Sequence, residues 1–394
     1  MKRVKIILVT AWLSLLLVTS CKKDTNTTNV TTPVVDPGQC VTGSSVNNGS
    51  IIPGQYIVAY NAGAVSRKAG MSTIMSVSTD VLDRNDIPQT KVKAVFAGEP
   101  GGFIAQLTED EAATLSNDPA IKIVEPDRVV ALAGCFTVAE PRLITWNVNR
   151  VGYGDGRGKT AWIIDSGIDM THPDLNVDAT RSRSFVSGIT SPNDENGHGT
   201  HVAGIIGALN NNFGVLGVAS GATLISLKVL GADGQGTLSS IIQALAYVNS
   251  NASAGDVVNM SFGLDGISAT LTDQVVNTAH RGIFIAIAAG NDAQPANKIS
   301  PANANGTNIY TVSAIDSLDR FASFSNYGND VVDYAEPGVR ILSTFSQGRY
   351  AYLSGTSMAA PHLAGLLLLK GRNITTSGTA KNDPDGIPDP IGHY

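Results

Sequence analysis

The sequence predicts an α/β protein: a doubly wound, mostly parallel sheet with helices on both faces, preceded by a small α+β domain. From residue 160 onward, short apolar runs typical of buried strands alternate with helical patterns, as in a parallel sheet covered on both faces. Between residues 55 and 130, short strands and helices alternate at a closer spacing. Glycine occurs 41 times in 394 residues, which suits tight turns and close packing of helix on sheet.

Charge and cysteine content exclude several classes of protein. The net charge of −6 shows no basic excess, so we do not expect a nucleic-acid partner. The chain has three cysteines, Cys21, Cys40 and Cys135, without the paired spacing of a zinc site. A structural metal–thiolate site is therefore not expected.

The first fifty residues predict an exported protein. In residues 1–20, basic residues precede an apolar run from Ile6 to Val18 that is too short to span a bilayer comfortably, as in a cleaved signal peptide. Val18 to Cys21 resemble a bacterial lipobox, whose cysteine is lipidated; an incidental cysteine after an ordinary signal is the alternative. Residues 21–50 lack periodicity and predict a flexible tether. We expect the lipid on Cys21 to be the precursor's only membrane contact, at the bacterial cell envelope.

Residues 51–132 are predicted to form the small α+β domain. Strands are expected at 55–60, 92–96, 103–107 and 121–124. One helix follows Ala64, and a second begins at a capping box between Thr108 and Glu111 and ends near Ser116. The order strand-helix-strand-strand-helix-strand is that of a ferredoxin-like domain. Its pattern alone does not indicate a function.

Residues 133–145 form a junction to the larger domain. With Cys21 lipidated, Cys40 and Cys135 remain, and an exported protein can form disulfides. We hypothesise a disulfide between them, with two free thiols as the alternative. Identical electrophoretic migration with and without reductant would count against the disulfide.

Residues 146–394 are predicted to form the main domain. Its sheet is expected to contain strands at 160–164, 224–229, 257–261, 283–288 and 309–314. Helices are expected at 198–209, 239–248 and 271–280, with a fourth at 358–370 after a strand at 350–354. Because ligands bind beyond the carboxyl ends of such strands, polar residues at those ends are the candidate site.

Three polar residues lie at such places. Asp165 ends a strand, His198 begins a helix between two glycines, and Ser357 lies where a strand gives way to a helix. A serine nucleophile needs a base, and the base needs an orienting acid. The plainer alternatives are a turn cap for Asp165, a helix cap for Ser357 and metal ligation by His198 with His201, for which no further ligands complete a set.

Longer motifs carry a family resemblance. The segments “DSGIDMTHPDL”, “NGHGTHVAGIIGALNNNFGVLGVASGA”, “LKVLGADGQGTLSSIIQAL”, “VVNMSFG”, “AAGND” and “GTSMAAPHLAG” resemble, in order, those of the subtilisin-like serine proteases (subtilases, peptidase family S8). They cover most of residues 146–371. The small domain resembles the inhibitor I9-type pro-domain of these proteases in “YIVAY” and “GGFIAQLTEDEAATLSNDPAIKIVEPDRVV”.

The resemblance implies a subtilisin-like fold and a secreted serine endopeptidase made as an autoprocessed zymogen, with its own pro-domain as inhibitor and proteins or peptides as substrates. Ser357 would attack the peptide carbonyl, His198 would transfer the proton, and Asp165 would orient the imidazole. Asn291 would donate to the oxyanion, together with the backbone N–H of Ser357. Outside this context, Asn291 reads as a turn residue. The maturation cleavage would fall in the junction.

The resemblance also assigns the substrate contacts to backbone edges and a pocket of small residues, from which we expect broad specificity with a preference for bulky apolar residues before the scissile bond. The residues are Gly234, Gln235 and Gly236 on one edge, Ser261, Phe262 and Gly263 on the other, and Ala288, Ala289 and Gly290 in the pocket. Phe262 is expected to narrow a neighbouring pocket.

A structural calcium site is implied by the same resemblance, and no catalytic metal is. The ligands would be oxygen atoms, as calcium prefers: the side chains of Asp174 and Asn211 and the carbonyls of Leu209, Phe213 and Val215. A hydrogen-bonded loop without an ion is the alternative.

The chain departs from the family pattern at Glu336, where a small residue is usual, and in its Pro-rich, non-helical tail at 381–394, which ends 37 residues after Ser357. The tail is expected either to replace a terminal helix or to reflect a trimmed domain.

Two rival functions remain, a binding protein on an inactive protease fold and an ester or lipid hydrolase, although the motif G-x-S-x-G of the latter is missing around Ser357.

Overall fold

The computed structural model describes residues 48–66, 69–131 and 144–394, and the backbone of residues 135–138. The predicted signal peptide, Cys21, Cys40 and nearly all of the tether lie outside the described residues, as does the side chain of Cys135. Lipidation and the disulfide therefore stay predictions. Within the described part of the chain, no helix has the length and apolar character needed to cross a membrane.

The small domain has the predicted order of elements. They are β1 (Ile51–Tyr60), α1 (Met71–Arg84), β2 (Val92–Phe96), β3 (Gly102–Gln106), α2 (Glu109–Ser116) and β4 (Ile121–Ala131). In the sheet, β1 lies between β3 and β4 and β2 pairs with β3, all antiparallel. The predicted capping box is present, since Thr108 and Glu111 each accept a hydrogen bond from the other's backbone N–H. A separate apolar core, including Tyr60, Phe103 and Leu115, fills the space under the two helices.

Strand β4 is seven residues longer than the predicted 121–124, because it ends at Ala131. Its last three residues pair antiparallel with β11 (Gln235–Thr237) of the main domain. Local periodicity does not indicate a strand whose partner lies about a hundred residues away in another domain, which explains the difference.

The main domain contains most of the remaining elements. They are β5 (Cys135–Val138), α3 (Trp146–Val151), β6 (Gly154–Asp155), β7 (Thr160–Asp165), β8 (Arg183–Ser184), α4 (His198–Gly207), β9 (Ala219–Ser220), β10 (Thr223–Lys228), α5 (Leu238–Asn251), β12 (Val257–Met260), β13 (Leu264–Asp265), α6 (Ala269–His280), β14 (Phe284–Ala288), β15 (Ile299–Ser300), β16 (Ile309–Ile315), β17 (Val332–Pro337), β18 (Ile341–Phe345), β19 (Arg349–Ser354), α7 (Thr356–Lys370), β20 (Thr375–Thr379) and β21 (Pro390–His393).

In the described residues, the main sheet has nine strands, in the order β20-β21-β17-β16-β14-β12-β7-β10-β8. Neighbouring strands from β8 to β21 pair in parallel, and β20 is antiparallel to β21. Alternation along a strand sends successive side chains to opposite faces. In β7, Trp162 and Ile164 pack with α5 and α6 on one face, whereas Ala161 and Ile163 pack with α4 and α7 on the other.

All five predicted strands of the main sheet and the predicted helices are present, with ends that differ by up to three residues. The tail is non-helical, as predicted, and contains β21, which extends one edge of the sheet together with the preceding β20; Ala335 pairs there with Ile391. This doubly wound arrangement brings the carboxyl ends of β7, β12 and β14 to one edge, next to the beginnings of α4 and α7.

Candidate active site

Asp165 and His198 form a buried hydrogen-bonded pair at this edge. Asp165 ends β7, His198 begins α4, and imidazole Nδ1 lies 2.8 Å from Asp165 Oδ1 and 3.0 Å from Oδ2. Because a carboxylate only accepts hydrogen bonds, Nδ1 carries the proton and Nε2 keeps a lone pair. Nε2 is buried and has no hydrogen-bond partner among the described residues. The pair therefore presents an acceptor nitrogen with no partner of its own.

Ser357 is the second residue of α7, where the sequence predicts the transition from strand to helix. Its hydroxyl donates to the carbonyl of Ser261 at 3.0 Å, and the Ser261 hydroxyl donates to the Ser357 carbonyl at 2.8 Å. The expected hydrogen bond to His198 is not formed in this arrangement. A serine hydroxyl reaches different acceptors by rotating about χ1, and catalytic hydrogen bonds often tighten only when substrate binds.

Asn291 follows the end of β14, and Thr356 fixes its side-chain amide. Asn291 Oδ1 accepts hydrogen bonds from Thr356 N–H at 2.8 Å and from Thr356 Oγ1 at 3.0 Å. The same hydroxyl accepts from Gly290 N–H at 3.0 Å. Because Thr356 donates to Oδ1, the Nδ2 group of Asn291 is left to donate a hydrogen bond to a ligand. Sequence reasoning missed this role of Thr356, although its position beside Ser357 was a usable signal.

Asp194 holds the turn that leads into α4, and sequence reasoning missed it. Its Oδ1 accepts from Ser166 Oγ at 2.9 Å and from the backbone N–H groups of Asn196 and Gly197. Its Oδ2 accepts from the backbone and the hydroxyl of Thr200. These bonds fix the direction in which α4 begins and hence the position of His198. A lone Asp in a loop carries no local signal of such a role.

His201 does not share a metal site with His198. Its Nε2 lies 3.0 Å from the carbonyls of both Ile341 and Ala351, so this nitrogen donates. Burial lowers the pKa of His201 to about 3 and keeps the ring neutral. In the parts of the chain that the structure describes, no group of three or more His, Cys, Asp or Glu residues could hold a metal ion. The metal alternative for these two histidines is therefore wrong.

Comparison with protein families identifies the chain. A model described as the subtilase family matches residues 156–377, and a model described as peptidase inhibitor I9 matches residues 55–133. The first match alone spans more than half of the chain. The chain belongs to the subtilase family.

Similar proteins are proteases. An alkaline protease from Alkalihalobacillus alcalophilus is 42% identical over 280 residues, which are 69% of this chain and 70% of that protein. The subtilisin-like serine protease Pen c 1 from Penicillium citrinum is 35% identical over 361 residues, 86% of this chain and 87% of its own. A solved structure of a cold-adapted subtilisin-like serine proteinase has a TM-score of 0.57 and 32% identity, covering 64% of this chain and 98% of the other. This subtilase is thus a serine protease with a subtilisin-like fold and an I9 domain.

The expected substrate edges of the subtilase both pair with the end of the I9 domain. In β11, Gln235 pairs with Ala131 and Gly236 with Val130, while Ala131 also pairs with Gly263. Gly234 precedes this edge in a left-handed conformation with φ of +74°. A strand of the same chain thus lies between the two edges where an extended substrate is expected.

The predicted pocket residues lie at and just after the end of β14. Ala288 and Ala289 are buried, and the carbonyl of Ala289 accepts from Asn326 Nδ2 at 2.9 Å. Gly290 adopts φ of +104°, and a Cβ there would lie 2.3 Å from Asn326 Nδ2. Phe262 is 3% exposed and packs in the apolar core on the α5 and α6 face.

The expected calcium loop is held by hydrogen bonds. The carboxylate of Asp174 accepts from Asn211 Nδ2 at 2.8 Å, from Val215 N–H at 2.9 Å and from the Tyr350 hydroxyl at 3.2 Å. Asn211 Oδ1 accepts from Phe213 N–H at 3.1 Å, and Leu209 N–H donates to the Asp174 carbonyl at 2.9 Å. Burial raises the pKa of Asp174. The donor set suits calcium, but it fits the ion only once the Asn211 amide turns so that Oδ1 faces Asp174.

Two carboxylates of the I9 domain cap helices of the main domain. Asp127 accepts from Ser239 N–H, at the start of α5, at 3.0 Å. Glu125 accepts from Thr270 N–H, at the start of α6, at 3.1 Å and from the Ser268 hydroxyl at 2.8 Å. Carboxylates at helix N-termini satisfy free N–H groups and oppose the helix dipole. Both caps were missed from sequence, because the capped helices begin more than a hundred residues later.

Proposed function

We propose that this subtilase is an endopeptidase in which Ser357 is the nucleophile and His198 the general base. The observation that carries the proposal is the buried Asp165–His198 pair at the sheet edge where α7 begins. Nε2 of His198 has no hydrogen-bond partner among the described residues and can accept a proton, and Ser357 is the second residue of α7. Ser357 Oγ attacks the peptide carbonyl while its proton passes to His198 Nε2, and His198 then gives that proton to the leaving amine. Water repeats the sequence and releases the acyl product.

The charges that develop during the reaction explain the proposed roles of Asp165 and Asn291. Asp165 holds the imidazole with Nδ1–H towards the strand and stabilises the imidazolium as it forms. The oxyanion receives hydrogen bonds from Asn291 Nδ2 and the backbone N–H of Ser357, at the positive end of α7. The contacts of Thr356 support this role, because they keep Asn291 Oδ1 away from the oxyanion.

Casein digestion and labelling with a serine-directed phosphonate test the proposal. We expect the mature wild-type protein to digest casein and to be labelled on Ser357, and Ser357→Ala to lose both. Removal of the nucleophilic serine from subtilisin lowers turnover by about a millionfold, and we expect a loss of the same order here. Labelling without casein digestion would support an ester or lipid hydrolase, and neither signal would support an inactive protease fold.

The small residues Ala288, Ala289 and Gly290 support a preference for bulky apolar side chains before the scissile bond. A panel of peptide p-nitroanilides that differ only in that residue measures it through kcat/KM. We expect Phe and Leu to exceed Asp and Gly by more than about tenfold, since one methylene group in an apolar pocket changes discrimination by roughly 1–3 kcal/mol. A flat profile would contradict this specificity.

We propose that the chain is a zymogen cut between Ala131 and Cys135. Ala131 is the last residue of β4 and pairs with Gln235 and Gly263, on one side of the site. Cys135 begins β5 and pairs with Ser354, three residues before Ser357, on the other side. Autoprocessing there frees the main domain from the I9 inhibitor. Amino-terminal sequencing of the mature form tests it, and a mature sequence beginning outside residues 132–135 would overturn this assignment.

Export and lipid anchoring complete the proposal for the precursor, with Cys21 as the lipidated residue. Because the anchor precedes the I9 domain, cleavage releases the catalytic domain as an extracellular or periplasmic form, unless a Cys40–Cys135 disulfide joins the fragments. Incorporation of labelled palmitate by wild type and its loss in Cys21→Ser test the anchor. Active catalytic domain that still carries residue 21 would contradict the release.

A structural calcium ion at Asp174, Leu209, Asn211, Phe213 and Val215 also stays a proposal. Its support is the oxygen-rich loop around a buried carboxylate. Titration calorimetry with calcium chloride tests it on mature enzyme stripped with EDTA. A site filled at 100 times its dissociation constant stabilises the fold by about 2.7 kcal/mol, so the midpoint of thermal unfolding should rise with calcium in wild type and not in Asp174→Asn. No heat and no change in midpoint would favour the hydrogen-bonded loop.

A further inference from the structure

Lys228 is a buried lysine that none of the proposed catalytic roles uses. It is the last residue of β10 and lies opposite Asp165 in the parallel pairing of β10 with β7. Its side chain is 0% exposed. An ammonium without water costs several kcal/mol unless charges and hydrogen bonds compensate for it. The partners of Lys228 therefore indicate what the burial achieves.

The Lys228 ammonium faces one carbonyl and several carboxylates. Nζ donates to the backbone carbonyl of Ser166 at 2.6 Å. Glu195 Oε2 lies 3.9 Å away, and Asp165, Asp194 and Asp233 also favour the charged amine. Burial lowers the pKa of Lys228 and these acids oppose that effect. Lys228 thus supplies a positive charge among acids that include the proposed orienting carboxylate.

Ser166 links Lys228 to both members of the Asp165–His198 pair. Its backbone N–H donates to Asp165 Oδ1 at 2.6 Å, while its carbonyl accepts from Lys228. Its hydroxyl accepts from the N–H of Gly199, the residue after His198, at 2.9 Å and donates to Asp194 at 2.9 Å. One residue therefore fixes the end of β7 and the start of α4 together, and Lys228 holds that residue by its carbonyl.

We propose that Lys228 is a positioning residue for peptide hydrolysis: by holding the Ser166 carbonyl it keeps the Ser166 N–H on Asp165 and the Ser166 hydroxyl on the start of α4. The inference rests on the proposed function of His198 as general base. Lys228 touches neither the substrate nor Ser357 in this scheme.

One measurable consequence follows from removing the ammonium. The Ser166 peptide loses its hydrogen bond, so Asp165 and His198 lose alignment and kcat falls while substrate contacts, and hence KM, stay the same.

The test compares Lys228→Met with Lys228→Arg in the mature enzyme, using a peptide p-nitroanilide. For Lys228→Met we expect kcat to fall by roughly tenfold to a hundredfold and KM to stay within about twofold. Lys228→Arg keeps a cationic donor for the Ser166 carbonyl, so it should recover most of the lost kcat. Lys370→Met, at the far end of α7, is the control lysine and should leave kcat and KM unchanged.

An unchanged kcat for Lys228→Met, or a kcat for Lys228→Arg as low as that for Lys228→Met, would overturn the proposal, because a cationic donor at this position would then not set the turnover. If Lys228→Met does not mature, Ser166→Ala decides through the same assay: a fall in kcat of about tenfold at constant KM supports the linkage, and unchanged kcat overturns it. The proposed function fails separately, if His198→Ala retains wild-type activity or the wild type is inactive.

Discussion

Replacement of Asp127 by Ala tests whether the I9 domain is held to the catalytic domain by helix capping. Asp127 is 0% exposed and accepts hydrogen bonds from Ser239 N–H, from the Gln55 amide and from Arg128 N–H. Ala removes the acceptor oxygens of all three hydrogen bonds and the negative charge at the start of α5. Because this contact joins two domains, its loss weakens both the helix end and the interface.

The expected loss is about 2–4 kcal/mol. Removing an N-cap acceptor costs about 1 kcal/mol, and a buried donor left without a partner costs about 1–3 kcal/mol more. For roughly 340 folded residues the unfolding entropy near 60 °C is about 0.7 kcal/mol/K. The midpoint of thermal unfolding should therefore fall by about 3–6 °C.

Scanning calorimetry of the full chain in a Ser357→Ala background measures this effect, because that background keeps the I9 domain attached. Asp127→Asn keeps an acceptor without the charge and should lie between parent and Asp127→Ala. Asp80→Ala, an exposed acid on α1 away from the interface, is the control. Hydrogen exchange should become faster at the first turn of α5. A midpoint within about 1 °C of the parent for Asp127→Ala would refute the capping argument.

Three further predictions concern the site and the tail. Asn291→Ala should lower kcat by about a hundredfold to a thousandfold with little change in KM, measured with a peptide p-nitroanilide; equal loss in KM would contradict an oxyanion role. Gly236→Ala should block substrate binding and autoprocessing, because its Cβ would lie 2.2 Å from the Val229 carbonyl; normal processing on a gel would disprove it. Burial raises the pKa of Asp389 to about 7, above its unfolded value. The stability that Asp389 contributes is then fully present below about pH 4 and lost as pH rises through about 7, so Asp389→Asn should melt above wild type at pH 8 by a larger margin than at pH 5.

The sequence predicts the sheet well because β7 and its neighbours are short apolar runs bounded by glycine and polar residues. In such runs local pattern and final environment agree, so strand positions follow from periodicity. The same logic finds Asp165, His198 and Ser357, since each stands at a strand end or helix start where ligands bind. The pattern does not predict the contacts between these side chains. In the structure the hydroxyl of Ser357 donates to the carbonyl of Ser261 rather than to His198.

Most residues that sequence reasoning missed act through partners far away along the chain. Lys228 holds a carbonyl 62 residues away, and Glu125 and Asp127 cap helices that begin more than a hundred residues later. Asp194 instead holds the turn that follows it, but a lone Asp in a loop carries no local signal of that role. No period of 2 or 3.6 residues marks these four side chains. The burial of Lys228, Asp194 and Asp127, which distinguishes them from ordinary surface charges, becomes visible only in the folded structure.

The two departures from the family pattern are parts of one contact. Glu336 in β17 is fully buried beneath the tail, and a Cβ at Gly392 in β21 would lie 2.3 Å from Glu336 Oε1. Its carboxyl oxygens have no hydrogen-bond partner of good geometry among the described residues, and burial raises the pKa of Glu336 well above its usual range, which keeps it uncharged. The large acid is tolerated because glycine occupies the facing strand. The tail forms part of an added sheet edge, and Glu336 and Gly392 fit only as a pair.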